Sequence, residues 1–193
     1  FSYGIAHTRV LIIDGLIEGG IDMNNSLPVY EYMYFMEFLP YSLNPAGKNC
    51  LVIGLGAGII PMWYEKMGIK TDTVDIDPNV VTIAKKYFGF ELAGDVIISD
   101  ARYYLINSNK TYDYIVLDVF NGDTTPGHIL SVEALQILKT RMTQKGILAV
   151  NLAGSLKKET FMTASVIKTL ESVFKTVEIY PIFSIANSEG WGN

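Results

Sequence analysis

Residues 50–58, Cys-Leu-Val-Ile-Gly-Leu-Gly-Ala-Gly, decide how the rest of the chain is read. Four apolar residues, two of them the β-branched Val52 and Ile53, predict a short buried strand. It runs straight into Gly54-Leu55-Gly56-Ala57-Gly58, where missing side chains let a ligand approach the backbone and a helix start close by. A dinucleotide fingerprint G-x-G-x-x-G requires glycine at position 59, but Ile59 stands there and the third glycine comes one residue early. That spacing suits an adenosyl ligand without a pyrophosphate better than a nicotinamide or flavin cofactor. Alone, the loop is also compatible with a plain tight turn.

Downstream, Val/Ile-rich runs at residues 71–75, 96–99, 114–118 and 147–152 alternate with helical patterns. Residues 61–67 form one such helix ending at Gly68, and residues 78–88 another, opened by Asp77 as cap and Pro78 in the first turn. Five strands separated by crossovers predict an α/β chain with a parallel, doubly wound sheet. Residues 159–174 carry Phe161, Met162, Val166, Ile167, Leu170, Val173 and Phe174 at helical spacing, and residues 176–183 read as a sixth strand. Upstream, residues 9–21 read as two strands around Asp14-Gly15, a small β-hairpin. Residues 27–39 read as a helix capped by Ser26 and ended by Pro40. The loop-like stretch at residues 44–49 divides an N-terminal hairpin-and-helix region, 1–44, from a nucleoside-binding domain, 45–193. No internal repeat is present.

Of 193 residues, 49% are hydrophobic and 18% charged, which excludes disorder and coiled coil. The net charge of −5 disfavours nucleic acid and favours cationic small molecules. One cysteine, Cys50, requires no oxidising compartment, and with His7 and His128 it is too few for a structural zinc site, so no metal is expected. No apolar run reaches the ~20 residues of a membrane span, and a cytoplasmic location is the expectation. The chain opens at Phe1, so missing ends are expected.

Open parallel sheets bind ligands beyond the carboxyl ends of their strands. The second strand ends in Val74-Asp75-Ile76-Asp77-Pro78, with Asp75 about twenty residues past the glycines, where a ribose-binding acid belongs. Asp77 reads as a helix cap. The third strand ends in Ser99-Asp100-Ala101, where Asp100 can accept from an adenine amino group while Ile76 covers the ring; a surface-turn aspartate is the alternative. The fourth ends at Asp118 and opens into a long loop carrying Asp123 and His128. Asp118 and Asp123 can hold a cation; Asp123 can equally cap a turn, and His128 can pack within the loop. Among Tyr30, Tyr32 and Tyr34, which cannot share a helix face, Tyr30 beside Glu31 is the candidate for reaching the pocket.

These residues resemble the polyamine aminopropyltransferases, the spermidine synthase family, and especially its bacterial spermidine-synthase-like branch. LIIDGLIEGGID is similar to that family's N-terminal hairpin, PVYEYM to its substrate segment, VIGLGAG to its glycine loop, and VDIDPNVV, ISDA and YDYIVLDVF to its cofactor and catalytic motifs. The resemblance implies a Rossmann-like S-adenosylmethionine-dependent methyltransferase fold with an N-terminal β-hairpin region. It further implies a cofactor site of Gly54, Gly56, Gly58, Asp75, Ile76, Asp100 and Ala101. Asp118 would be the acid/base, Tyr30 would orient the amine, and Glu18, Glu31 and Asp123 would hold a polyamine. Homo-oligomers, commonly dimers or tetramers, go with the family, and its closing C-terminal strand is expected to be truncated here. The implied reaction is transfer of an aminopropyl group from decarboxylated S-adenosylmethionine. Three positions depart from the pattern: Ala57 replaces an aspartate, Glu18 replaces a glutamine, and Asn121 replaces a second loop aspartate, with Asp123 nearby. Methyl transfer from S-adenosylmethionine and non-catalytic adenosyl binding are the alternatives on this framework.

Overall fold

The computed structural model describes residues 2–3, 6–13, 15–119, 126–157, 160–182 and 191–192. In chain order the elements are β1 (Ser2–Tyr3), β2 (Ala6–Ile13), β3 (Leu16–Asp22), α1 (Glu31–Leu43), β4 (Asn49–Ile53), α2 (Ile59–Lys66), β5 (Lys70–Asp75) and α3 (Pro78–Phe88). There follow β6 (Val96–Ile98), α4 (Ala101–Asn107), β7 (Tyr112–Leu117), α5 (Val132–Thr140), β8 (Met142–Val150), β9 (Gly154–Ser155), α6 (Phe161–Val173) and β10 (Trp191–Gly192).

Strands β6-β5-β4-β7-β8 form one sheet in that order, every pair parallel. The chain steps outward from β4 to β6, then returns to place β7 on the other side of β4, so the topological switch point lies between β4 and β7. Alternation along β4 shows the double winding. Leu51 and Ile53 pack in one cluster with Leu105, Leu135 and Leu138, while Cys50 and Val52 pack in another with Met36, Ile60 and Tyr64. The five predicted strands and the helix at residues 78–88 are thus present, the latter capped by Asp77, whose carboxylate accepts from the Asn79 N–H.

The hairpin of β2 and β3 is antiparallel as expected, and it docks on the glycine loop: Leu11 and Ile21 share an apolar cluster with Ala57, Ile59 and Phe88. The following helix departs from expectation at both ends. Pro28 bridges to Ile21 and the Val29 N–H bonds to the Gly20 carbonyl, so residues 27–29 extend the hairpin instead of opening a helix. Ser26 stands at φ +59 in a turn and Tyr30 takes the N-cap position. Nor does Pro40 stop α1, which continues to Leu43. Proline has no N–H for the carbonyl four residues back; that carbonyl, of Met36, accepts the Tyr64 hydroxyl at 2.9 Å instead. Residues 176–182 of the expected sixth strand pair with no described strand. Ile179 and Tyr180 stay 52% and 42% exposed. No described helix is long and apolar enough to cross a membrane.

Glu37 of α1 is 1% exposed and neither carboxylate oxygen has a partner among the described residues. Burial pushes its pKa up to about 8, against the pull of nearby Lys66. Because the folded value lies above the unfolded one, the stabilising contribution is complete below the unfolded pKa and is lost as pH rises through the folded one. Urea denaturation at a series of pH values is expected to show stability falling by about 1.4 kcal/mol per unit within that window. Glu37→Gln is expected to flatten the dependence; an unchanged slope would locate it in another group.

Candidate active site

A cleft of about 730 Å³ opens at the carboxyl ends of the sheet strands, at the switch point. Its floor begins with Gly54, at φ +92, where a Cβ would lie 2.0 Å from the Asp118 carbonyl oxygen. Only glycine lets the ends of β4 and β7 approach so closely. Gly56, at φ +51, faces the Glu18 carbonyl of β3 and also lines the cleft. Gly58 does not: at φ +77 it is the N-cap of α2 and abuts the Phe90 ring, so its absent side chain serves packing. Ala57 is likewise turned inward, 2% exposed among apolar residues beneath the loop.

Asp75, at the tip of β5, is held by backbone. Its Oδ2 accepts from Leu55 N–H at 2.8 Å and its Oδ1 from Asp77 N–H at 2.9 Å, which pins the glycine loop to the second strand. Ile76 beside it is 72% exposed and lines the cleft. Asp100 caps α4, with Oδ1 accepting from Tyr103 N–H, while Oδ2 lies 3.3 Å from His128 Nε2. Ala101, the first residue of α4, lies in the same wall, and so does His128.

Asp118 follows β7 and is half-buried, its Oδ1 accepting from Asn151 Nδ2 at 2.8 Å. Burial pushes its pKa up to about 6; the Asn151 hydrogen bond opposes this and the charge of Glu18 adds to it. Glu18 itself is raised, by burial first and then by Asp75. Five carboxylates, of Glu18, Asp75, Asp77, Asp100 and Asp118, therefore face one cleft, and no Lys or Arg is among the described residues lining it. Nor do three His, Cys, Asp or Glu side chains gather as a metal site among the described residues.

Two substrate-side expectations are corrected. Tyr30 is not in the cleft wall: its ring packs toward Gly20 of the hairpin, and Tyr32 lines the cleft instead. Burial, with Asp118 and Glu18 nearby, holds the Tyr32 hydroxyl well above its ordinary pKa. Starting α1 at Glu31 and not near residue 27 changes which tyrosine points inward. Glu31 is exposed in the first helical turn, away from the cleft, where an acid complements the positive end of the helix. Asp123 and Asn121 lie outside the described residues. Asn151 was missed by sequence reasoning, although it directly follows the fifth strand and the rule that found Asp118 pointed there too.

Residues 29–190 match the family model described as the spermine/spermidine synthase domain. The chain is 38% identical over 140 residues to the N-terminal histidine N-methyltransferase of Emericella nidulans, a match covering 70% of this chain and 25% of that protein. It is 35% identical over 115 residues to a polyamine aminopropyltransferase of Vibrio vulnificus, covering 56% of this chain and 38% of the relative. The aligned stretches thus span only a quarter to two fifths of these relatives' length. The solved spermidine synthase of Thermotoga maritima superposes with a TM-score of 0.67 at 18% identity, over 90% of this chain and 62% of that one, a likeness of fold. With the family-model match spanning most of its length, the chain belongs to the spermine/spermidine synthase domain family, and the two relatives named above are transferases.

Proposed function

We propose that this chain transfers an aminopropyl group from decarboxylated S-adenosylmethionine to an amine of a polyamine. The observation that carries this reading is the cleft whose described charged residues are all carboxylates except for one histidine. Decarboxylated S-adenosylmethionine brings a sulfonium and an ammonium with no carboxylate, and a polyamine is also a polycation; both suit that field. An intact methionine carboxylate is repelled by it. Gly54 and Gly56 would let the nucleoside approach the backbone, Asp75 would accept from the ribose hydroxyls with its remaining lone pairs, and Asp100, Ile76 and Ala101 would border the adenine. Glu18, close to Asp75 and Asp118, would take a cationic amine of donor or acceptor.

The acceptor nitrogen attacks the methylene next to the sulfonium, the carbon–sulfur bond breaks with its electron pair going to sulfur, and methylthioadenosine leaves. Sulfonium departure is easy. The demand falls on the nucleophile, because keeping an amine of pKa ~10.4 neutral at pH 7 costs about 4.6 kcal/mol. Asp118 at the cleft floor takes that proton, and a pKa of about 6 makes it a better base near neutrality than an ordinary aspartate. Tyr32 stands beside it to orient the amine.

Methyl transfer from S-adenosylmethionine is the second reading. It is favoured by the relative named as a histidine N-methyltransferase. Titration calorimetry with the two donors separates the readings. Decarboxylated S-adenosylmethionine is expected to bind at least about tenfold tighter, a difference of about 1.4 kcal/mol. A preference for the carboxylated donor, with S-adenosylhomocysteine and not methylthioadenosine as product, replaces the first reading by the second.

A further inference from the structure

Asn151 is the one polar side chain that reaches the Asp118 carboxylate among the described residues. Its backbone N–H bonds to the Leu117 carbonyl at 2.9 Å, so the β7–β8 ladder fixes its position just beyond β8. That bond asks nothing of the side chain. The side chain is nonetheless a carboxamide, 3% exposed, with Nδ2 2.8 Å from Asp118 Oδ1. A carboxamide must present its NH₂ to a carboxylate, since its oxygen only accepts. Among the described residues the hydrogen bond on this carboxylate falls on Oδ1, and Asp118 lines the cleft.

We propose that Asn151 is a positioning residue for the reaction assigned above: its carboxamide occupies Oδ1 of Asp118, fixes the carboxylate plane, and leaves Oδ2 as the proton acceptor facing the substrate amine. The role rests on the reading of Asp118 as base. A hydrogen bond to the ionised form also lowers the pKa that burial and Glu18 raise, so Asn151 keeps enough Asp118 ionised near neutral pH. Among the described residues, the groups facing Asp118 are Glu18 from β3, Tyr32 from α1 and Asn151 itself.

The test combines a pH–rate profile with a carboxyl titration. In Asn151→Ala, the acid limb of kcat/KM is expected to move up by about one to two pH units, the worth of a hydrogen bond to a charged group. The variant should be slower than wild type by about five- to fiftyfold at the pH of the wild-type inflection, and the deficit should narrow at alkaline pH to the part that orientation alone contributes. Asn151→Asp, of the same shape, puts a second carboxylate against the first and should move the limb further. Methylthioadenosine affinity, measured alongside, should remain near wild type in both and reports that the cleft is intact. The ¹³Cγ shift of Asp118, followed against pH without substrate, should show the same displacements. A rate deficit that is the same at every pH, or a ¹³Cγ inflection that stays in place in both variants, overturns the proposal. A wild type that binds the nucleoside and shows the ¹³Cγ displacement on substitution, yet turns over neither donor, overturns the aminopropyl and methyl readings while the Asn151–Asp118 coupling stands.

Discussion

Asp118→Asn is expected to lower kcat by about a thousandfold, the middle of the range for removing a general base, while methylthioadenosine binds nearly as in wild type. The asparagine keeps the shape and can still meet Asn151, but it cannot take a proton from an amine. The accompanying signature is in the pH profile. Asp118 must be ionised to act, so wild-type kcat/KM should rise as pH increases through about 6, the value to which burial pushes it. In Asp118→Asn that limb should disappear. Stopped assays of methylthioadenosine release at several pH values check both. Retention of the wild-type rate removes Asp118 from the chemistry in the aminopropyl and methyl readings alike.

Gly54→Ala carries the largest expected effect on stability, a loss of more than about 4 kcal/mol, at the exceptional end for a single substitution. The residue sits at φ +92, and a methyl there would stand 2.0 Å from the Asp118 carbonyl oxygen and 2.8 Å from Val119 Cγ1. Backbone cannot yield as a flexible side-chain tip does, so the ends of β4 and β7 must separate, and Asp118 moves with them. Gly68→Ala is the control. Its φ is +76 but nothing lies within 4 Å of the added carbon, so only the left-handed strain of about 1–2 kcal/mol remains. Urea denaturation of the two variants measures the difference. Equal losses would mean that the contact between the two strand ends does not constrain the fold.

Much of this architecture was legible because it is local. The Val/Ile-rich runs fall in all five sheet strands, and Asp77-Pro78 opens α3 where punctuation predicted. Once strands alternate with crossover helices, parallel pairing follows, and ligand-facing residues must sit at strand tips. That logic reached Gly54, Asp75, Asp100 and Asp118, which all line one cleft. It did not reach the roles those groups already have: Asp75 holds the glycine loop through Leu55, and Asp100 caps α4 while meeting His128. These partners lie twenty or more residues away in the first and last of the three cases, beyond any local pattern.

What the amino-acid sequence determined by itself was the alternation of elements, the excess of acid over base, and the glycine turn that follows the first sheet strand; each follows from short-range sterics, spacing or composition. The tertiary structure alone decided which tyrosine enters the cleft, because the pairing of residues 27–29 with the hairpin sets where α1 begins and hence its rotation. It also turned Ala57 into the apolar layer under the hairpin and brought Asn151 onto Asp118, 33 residues distant along the chain. Those outcomes depend on where separate elements meet, and packing between elements is settled only when the whole sheet and its covering helices are assembled.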